Sequence, residues 1–237
     1  MSHAPEVSFV VPVFDEEAIL HAAVVDLRER LAPHGLDYEL ILAENGSRDA
    51  TPEIAQALCA RYPELRLERS PRPDYGQALR QGILKARGRF VICEEIDLCD
   101  VDFHLRALAL LRSGRADFVI GSKLIGGARD ERPPIRHALS LLYTRLLHVL
   151  FDFGGTDTHG LKAFRREAVL PVVRACRVDR DVFASELVIR AYREPLRVLE
   201  IPVRVLEKRP PSINLLDRVP GVVADLWQLT RAIHGKR

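Results

Sequence analysis

The sequence predicts an α/β protein with a doubly wound, mostly parallel sheet, flanked by helices and followed by a C-terminal amphipathic helix. Two observations predict this class. In the first half of the 237-residue chain, short apolar runs alternate with segments whose apolar residues recur at helical spacing. Strands that alternate with helices at this pitch build parallel sheets. The length of the chain suffices for one large domain.

Five strands and four helices are predicted over the first half of the chain. The strands are short runs rich in Val, Ile, Leu and Phe, at 7–11, 38–43, 65–67, 90–92 and 118–120. The helices carry apolar residues at helical spacing, at 19–31, 51–62, 76–85 and 103–111. The second helix also has start signals, because segment 47–53 supplies an N-cap candidate and a first-turn proline, Pro52.

The second half of the chain changes character. A loop rich in Gly, Arg and Pro is predicted over 126–134, and a long helix over 136–151 follows it. The remaining elements are strands at 161–164 and 196–205 and helices near 167–175 and 183–192. Because no flexible linker separates the halves, we expect residues 1–214 to form one domain with one core. Residues 215–237 place apolar side chains on one helical face, as an amphipathic helix does.

Composition and charge narrow the classes of function. The formal net charge of +2 gives no reason to expect a nucleic-acid partner. The four cysteines lie far apart without a CxxC pair, which argues against a zinc site or a disulfide framework and for a reducing compartment. We recognise no N-terminal signal sequence and no apolar stretch of the ~18 residues that span a bilayer. The expectation is a cytoplasmic protein, with attachment to the inner face of the membrane left open.

A short acidic segment follows the fourth predicted strand. Glu95 and Asp97 stand two residues apart, directly beyond the apolar run 90–92. Carboxylates in that place lie at the edge of the sheet, where open α/β folds bind ligands. Such oxygen ligands suit Mg²⁺ or Mn²⁺, and these cations suit a phosphorylated substrate. The alternative is a solvated acidic turn that caps the next helix.

Three further motifs lie where predicted strands end or helices begin. Segment 11–17, Val-Pro-Val-Phe-Asp-Glu-Glu, places an acidic pair where it can cap a helix or hold ribose hydroxyls. Segment 44–51, Glu-Asn-Gly-Ser-Arg-Asp-Ala-Thr, contains a Gly-Ser-x-Asp turn. Gly76, in segment 74–82, permits a ligand to approach the backbone at the positive end of a helix.

Taken in chain order, these motifs resemble those of the family 2 glycosyltransferases with a GT-A fold, and most of all the dolichyl- or polyprenyl-phosphate hexose synthases. The resemblance implies that residues 1–122 are the nucleotide-binding half and 123–214 the acceptor half. It also implies a set of residues that contact the nucleotide-sugar, namely Pro12, Phe14, Glu16, Glu17, Glu44, Gly46, Ser47, Gly76 and Glu95.

The family's metal motif, Asp-x-Asp-x-Gln, falls on Glu95, Asp97 and Cys99. Glu95 is a longer carboxylate in the first position, Asp97 matches the second, and Cys99 replaces an amide oxygen. A thiol is a poor ligand for Mg²⁺. The resemblance therefore implies Mg²⁺ or Mn²⁺ at Glu95 and Asp97. Three possibilities stay open for the third position: water fills it, diphosphate oxygens complete the site, or metal binding is weakened.

The acceptor half carries basic residues in places that the resemblance makes informative. Lys123 follows the fifth strand as a basic residue does in the family, and Arg136 falls in a segment similar to one that binds phosphate. Asp157 opens a segment similar to the family's Asp-Thr-x-x-Gly-Phe-Arg-Ala-Phe, one residue shorter, in which Lys162 keeps the basic position. The catalytic residues implied by the resemblance are Asp97, Asp157, Arg136 and Lys123.

The function implied is an inverting, metal-assisted transfer of a hexose from a GDP- or UDP-sugar to polyprenyl phosphate. Two alternatives stay open: a transferase of this family that acts on a saccharide hydroxyl, and a non-catalytic nucleotide-sugar-binding protein with a degenerate metal site. A hydroxyl acceptor would need a base, for which His159 is a candidate, although a structural role for it is favoured. Peripheral membrane contact through 215–237 and a homodimer are also left open.

Overall fold

The computed structural model describes residues 4–131, 133–179, 182–205 and 219–235. The helices are α1 Leu20–Leu31, α2 Thr51–Arg61, α3 Tyr75–Lys85, α4 Val101–Arg112, α5 Pro134–Phe151, α6 Arg166–Ala175, α7 Phe183–Arg193 and α8 Val219–His234. The strands are β1 Val7–Val13, β2 Tyr38–Asn45, β3 Leu65–Ser70, β4 Phe90–Cys93, β5 Phe118–Ser122, β6 Arg129–Asp130, β7 Lys162–Arg165, β8 Val198–Pro202 and β9 Arg204–Val205.

The described residues form a main sheet of seven strands in the order β3-β2-β1-β4-β7-β5-β8. All neighbouring pairs are parallel except those of β7, which runs antiparallel to both β4 and β5. The predicted doubly wound, mostly parallel sheet is confirmed. Its antiparallel strand joins the two halves of the chain, because β7 from the second half inserts between β4 and β5 of the first.

Helices cover both faces of this sheet, as successive side chains of the central strand show. All seven residues of β1 are buried. Phe9 and Val11 belong to the core cluster that packs on α1, α2 and α4, whereas Val10 belongs to the cluster on the face of α3, α6 and α7. Side chains alternate along a strand, so a strand buried on both faces reads as a continuous apolar run.

The register of the parallel strands brings several loops to one edge of the sheet. Val13 pairs with Glu44 near the ends of β1 and β2, and Cys93, the last residue of β4, pairs with Val10 in the middle of β1. The carboxyl ends of these strands therefore meet, and open α/β sheets bind ligands at that edge. The loops that leave this edge carry most of the residues predicted to bind a nucleotide-sugar.

Two predicted elements differ from the structure in their detail. The single strand expected at 196–205 is divided into β8 and β9, because β9 leaves the main sheet to pair with β6. That pairing also places a short strand inside the segment 126–134, where only a loop was expected. The two paired strands, β6 and β9, lie more than 70 residues apart in sequence, so no local pattern predicts their pairing.

The C-terminal helix is present as α8, and it packs on α5 and α7. Leu229 is buried in the core, and Leu226 and Ile233 are partly buried beside it, whereas Val223 and Trp227 are exposed. The predicted positions 206–218, 236 and 237 lie outside the described residues. Among the helices that the structure describes, none has the length and apolar character needed to cross a membrane.

Candidate active site

Two adjoining clefts open at the carboxyl edge of the sheet. The larger, about 1060 Å³, lies between the ends of β2 and β3 and the first turns of α3. The smaller, about 190 Å³, lies between the ends of β1 and β4, and it shares Phe14, Asn45 and Tyr75 with the larger. Of the residues predicted to contact a nucleotide-sugar, Phe14 and Glu44 line the large cleft, and Pro12, Phe14, Glu16 and Glu95 line the small one.

The loops that follow β1 and β2 hold each other in place. The amide of Asp15 donates to the Ser47 hydroxyl at 3.1 Å, and the amide of Arg48 donates back to the Asp15 carboxylate at 2.8 Å. Glu17 accepts from the amide of Ala50 at 2.9 Å, just before α2 begins. Glu17 and Ser47 thus bond within the loops and lie outside both clefts, which leaves Glu16 as the member of the acidic pair that faces a cleft.

Glu44 is a buried carboxylate at the end of β2, only 1% exposed. Its Oε1 accepts from the amide of Ser47 at 2.6 Å, and its Oε2 lies 3.5 Å from the guanidinium of Arg69. Gly46 makes this turn possible. Its φ is +70°, and a Cβ there would stand 2.9 Å from the backbone carbon of Arg72.

The first turn of α3 closes the large cleft on the other side. Asp74 caps the helix by accepting from the amide of Gln77 at 2.9 Å, and the amide of Asp74 donates to the Asn45 side chain at 2.6 Å. Gly76 is buried within that turn. The side chain of Asn45 therefore joins β2 to α3, a role that its position beside Glu44 in the sequence did not reveal.

The two carboxylates predicted to hold a metal both line the small cleft. Glu95 is half-buried and Asp97 is exposed. The Tyr75 hydroxyl donates to Glu95 Oε1 at 2.5 Å. Burial, with the neighbouring carboxylates of Asp97 and Glu94, raises the pKa of Glu95 to about 7, although Tyr75 and the ammonium of Lys162 act against the rise.

Cys99 is turned away from the cleft. It is buried and adopts a φ of +45°, and its Sγ lies 3.5 Å from the carbonyl oxygen of Ile96 inside the loop. The guanidinium of Arg30 donates to the Cys99 carbonyl at 2.9 Å and fixes this turn. The thiol that replaces the family's amide therefore packs as a small apolar group within the loop.

The donor set fits a hard cation that is shared with a substrate. Among the residues that the structure describes, no three His, Cys, Asp or Glu side chains are grouped to hold a metal ion unaided. Glu95 and Asp97 supply two carboxylates, and Mg²⁺ sites in enzymes commonly use one or two carboxylates together with substrate phosphates. A cation here would also relieve the repulsion that raises the pKa of Glu95.

A second cluster of charged residues surrounds Asp157. This buried carboxylate accepts from the Lys123 ammonium at 2.7 Å and, through its other oxygen, from the amide of His159 at 2.9 Å. Burial alone would raise the pKa of Asp157, but Lys123 and the His159 amide hold it below its ordinary value. Gly160 seats this loop on β5, since a Cβ there would stand 1.8 Å from the Gly121 carbonyl oxygen.

Lys162 lies between the two charged clusters. It opens β7 opposite Cys93, the last residue of β4, and its buried ammonium donates to the Gly160 carbonyl at 2.6 Å. Burial lowers the pKa of Lys162, while Cys93, Glu95 and Asp157 act in the opposite direction. The sequence marked Lys162 as a basic position of the family pattern, but only the antiparallel placement of β7 brings it between the carboxylates.

The other residues predicted on this side are placed less centrally. His159 is exposed, and its ring packs at 5.3 Å from that of Tyr143 on α5. The protein around the ring and the Lys123 ammonium lower the pKa of His159, so its imidazole is neutral near pH 7. Arg136 stands in the first turn of α5, the helix that reaches the Asp157 loop through the bond from the Thr144 hydroxyl to the Thr156 carbonyl.

Comparison with known protein families shows the family to which this chain belongs. The model of Glycosyl transferase family 2 matches residues 8–170, more than half of the chain. The chain belongs to glycosyl transferase family 2. The match spans every residue predicted to bind the nucleotide-sugar, the metal or the acceptor.

Curated relatives of this family 2 chain are named as glycosyltransferases. Glycosyltransferase AglD of Haloferax volcanii is 31% identical over 235 residues, which cover 95% of this chain and 38% of that protein. Dolichyl-phosphate beta-glucosyltransferase ALG5C of Trichomonas vaginalis is 29% identical over 210 residues, which cover 83% of this chain and 62% of that protein. The chain therefore spans about two fifths to three fifths of the length of these relatives.

Solved structures show the same fold. Glucosyl-3-phosphoglycerate synthase from Mycobacterium tuberculosis, in complex with Mn²⁺, UDP and phosphoglyceric acid, matches with a TM-score of 0.63 at 18% identity. The match covers 95% of this chain and 78% of that one. Another crystal structure of the M. tuberculosis synthase gives a TM-score of 0.64 at 22% identity, over 95% of this chain and 81% of that one. The GT-A fold predicted from the sequence is confirmed.

Proposed function

We propose that the chain transfers a hexose from a nucleoside-diphosphate sugar to a polyprenyl phosphate, with inversion at the anomeric carbon. One observation carries the proposal. A cleft large enough for a nucleotide continues into a small cleft lined by Glu95 and Asp97, and Lys162 links those carboxylates to the Lys123–Asp157 pair. We therefore assign the donor, the metal and the acceptor to neighbouring places along this edge of the sheet.

The large cleft is the proposed nucleotide site, with Glu44 and Asn45 along its wall. UDP is the nucleotide to test first, because the fold relatives from M. tuberculosis bind UDP and UDP-glucose. Glucose is the first sugar, because the dolichyl-phosphate relatives are beta-glucosyltransferases. Glu16 and Pro12 then border the passage from the nucleotide to the small cleft.

Glu95 and Asp97 are the proposed ligands of Mg²⁺ or Mn²⁺, which when bound would neutralise the diphosphate as it leaves. Tyr75 holds the Glu95 carboxylate at the cleft wall by the bond of 2.5 Å. The buried Lys162 ammonium adds a positive charge that acts on Glu95. The exposed Asp97 is free to turn toward the donor.

Lys123, Asp157 and Arg136 are the proposed acceptor residues. A lipid phosphate is already anionic at neutral pH, so its oxygen can attack without a general base. The Lys123 ammonium, held by Asp157 at 2.7 Å, presents its charge to such a phosphate, and Arg136 adds a second cation from α5. A neutral His159 beside them neither repels nor neutralises the phosphate.

An apolar stripe on α5 supports a lipid acceptor. Ile135, Leu139, Leu142, Leu146 and Val149 recur every three or four residues and are all exposed, Val149 to 83%. Helices of globular proteins normally turn such a stripe toward the core. The opposite face of α5 is the buried one, where Thr144 holds the Asp157 loop.

We propose that this stripe rests on an anionic lipid surface. The 18 residues of α5 include Arg136 and Arg145 but no Asp or Glu, so the charge of the helix complements acidic headgroups. The exposed Val223 and Trp227 of α8, which packs beside α5, extend the same contact. A lipid phosphate would then reach Lys123 from the membrane side.

A transfer assay tests the function. The protein is incubated with radiolabelled UDP-glucose or GDP-mannose, Mn²⁺ or EDTA, and either a polyprenyl phosphate in detergent or 3-phosphoglycerate. We expect label in the organic phase, only with metal and polyprenyl phosphate. Label in a water-soluble product made only with 3-phosphoglycerate would favour the second candidate, a transferase of a hydroxyl acceptor, which the M. tuberculosis fold relatives suggest. The proposal would be contradicted if the wild-type protein transferred label to neither acceptor, so that its transfer rate could not be distinguished from that of Asp97→Asn.

A further inference from the structure

A buried polar pair lies directly behind the metal-binding loop. The Glu94 carboxylate, 1% exposed, meets the Nε2 atom of His104, 0% exposed, within hydrogen-bond distance. Glu94 follows the last residue of β4, and His104 lies in the first turns of α4. Neither residue touches either cleft, and neither belongs to the motifs described above.

Burial of this pair in the apolar core is unfavourable in free energy. The His104 ring packs against Phe9 and Phe103 in the apolar core, and its Nδ1 atom has no hydrogen-bond partner among the described residues. Buried ionisable groups are expensive unless they are fully bonded, and apolar side chains of similar volume usually pack at least as well. Stability alone therefore does not account for a carboxylate and an imidazole in this position.

The second oxygen of Glu94 supplies a reason. While Oε2 meets His104, Oε1 accepts from the amide of Glu95 at 2.9 Å. A chain of bonds thus runs from α4 through the pair to the backbone of a proposed metal ligand. The Tyr75 hydroxyl holds the carboxylate of the same residue from the cleft side.

The other end of the loop is anchored separately. Asp100 caps α4 by accepting from the amide of Phe103 at 3.0 Å, and Arg30 binds the Cys99 carbonyl. The loop is therefore fixed at its start by Glu94 and at its end by Asp100, and the exposed Asp97 lies between the two anchors. Loss of the first anchor would free the segment that carries both carboxylates.

We propose that His104 and Glu94 are positioning residues that fix the backbone of Glu95, so that Glu95 and Asp97 point together at the metal and the diphosphate. The inference rests on the proposed metal-dependent function. Partners behind metal ligands typically change metal affinity by 10–100-fold when they are removed. A merely structural pair would instead change stability and leave the metal-dependent part of nucleotide binding untouched.

The test separates these roles by calorimetry. UDP is titrated into the protein with Mn²⁺ and with EDTA, and the ratio of the two affinities is the metal gain. In the double variant Glu94→Leu/His104→Phe, which fills the space without an unpaired buried charge, we expect the metal gain to fall about tenfold or more, with UDP affinity in EDTA unchanged. An unchanged metal gain would overturn the proposal.

Glu39→Gln is the matched control. Glu39 is also a buried carboxylate of the sheet, bonded to Ser8 and Arg66, but it lies at the start of β2, away from the clefts. We expect this variant to lower the melting temperature and to keep the full metal gain. Absence of any metal gain in the wild-type protein would be a failure of the proposed metal site, distinguishable from a failure of the pair.

Two single variants keep the test decisive if the double variant does not fold. In His104→Gln the side chain can still donate to Glu94, whereas in His104→Asn it is one methylene shorter. We expect His104→Gln to retain most of the metal gain and His104→Asn to lose most of it. Equal metal gains in the two variants, whatever their melting temperatures, would also overturn the proposal.

Discussion

The donor side and the acceptor side of the site differ in how their charges are balanced. On the proposed donor side, Glu95 and Asp97 line the same small cleft, neither is in an ion pair with another described residue, and the pKa of Glu95 is raised to about 7. On the acceptor side, Asp157 is paired with Lys123 at 2.7 Å and its pKa is lowered. This difference supports the proposal that the donor side takes an added cation, whereas the acceptor side supplies its own in Lys123.

The two sides also differ in their scaffolding. The donor loops leave adjacent parallel strands and are tied to each other by hydrogen bonds from backbone amides to side chains, such as those that the Ser47 hydroxyl and the Asp15 carboxylate accept. The acceptor loop depends on contacts between distant elements, such as the bond from the Thr156 hydroxyl to Glu200 on β8 at 2.5 Å. This difference in scaffolding agrees with the proposed chemistry. The firmly bonded donor loops suit a nucleotide, which needs a rigid cleft, and the acceptor loop suits a lipid, which must enter and leave.

Removal of a donor-side carboxylate should have the largest effect. We expect Asp97→Asn to lower kcat/KM by about 10³-fold or more, because one of two proposed metal ligands is lost. The measurement is steady-state transfer with saturating Mn²⁺. Asp102→Asn is the control, since Asp102 is an exposed carboxylate on α4 that pairs with Arg106 on the same helix. Equal loss in both variants would contradict the assignment of Asp97.

Removal of the acceptor-side cation should have a smaller effect with a different signature. We expect Lys123→Met to lower kcat about 10²-fold with little change in UDP-glucose affinity, because Lys123 is a proposed acceptor residue and lines neither cleft of the proposed nucleotide-sugar site. Lys123→Arg should recover part of the rate. A loss confined to donor affinity would show that the two sides are not divided as described.

The apolar stripe of α5 should matter for lipid binding by roughly one order of magnitude. We expect Leu142→Glu to weaken co-sedimentation with phosphatidylglycerol vesicles about tenfold, because the stripe loses apolar contact and gains a negative charge. Leu141→Glu is the matched control, since Leu141 is exposed on the same helix but lies off the stripe. Equal losses of vesicle binding in the two variants would contradict membrane docking. So would light scattering that shows the protein to be a dimer formed through the stripe.

The smallest expected effect is on stability and its pH dependence. The lowered pKa of Asp157 adds stability that is complete above its unfolded value near 3.8 and is lost as the pH falls through its folded value. We expect Asp157→Asn to cost about 1 kcal/mol at pH 7, with the gap to wild type closing below about pH 4. Urea unfolding at several pH values measures it, and a gap that stays constant with pH would contradict the Lys123–Asp157 pairing.

The sequence predicted the donor side better than the acceptor side for a physical reason. Strands such as Val7–Val13 carry a continuous apolar run, and their parallel order then brings Glu44 and Glu95 to one edge. The antiparallel β7 depends on long-range pairing, so the place of Lys162 could not be predicted from local pattern. Helical periodicity likewise predicts an apolar stripe on α5, but it does not indicate whether the stripe faces the core or the solvent.

Buried polar contacts were the other part that the sequence did not disclose. Glu94 directly precedes Glu95 in the sequence, yet it is buried and turned toward His104. Cys99 was placed in the metal motif, yet its positive φ turns the thiol into the loop. In both cases the direction of a side chain depends on backbone geometry that residue type alone does not specify.

Calorimetric titration of UDP-glucose and GDP-mannose, each with Mn²⁺ and with EDTA, tests the central claim most directly. The claim is that Glu95 and Asp97 bind the donor diphosphate through a divalent cation. It predicts that one of the two sugars binds at least tenfold more tightly with Mn²⁺, and that Asp97→Ala abolishes this gain. Binding of either donor that is indifferent to Mn²⁺, in wild type and variant alike, would contradict it.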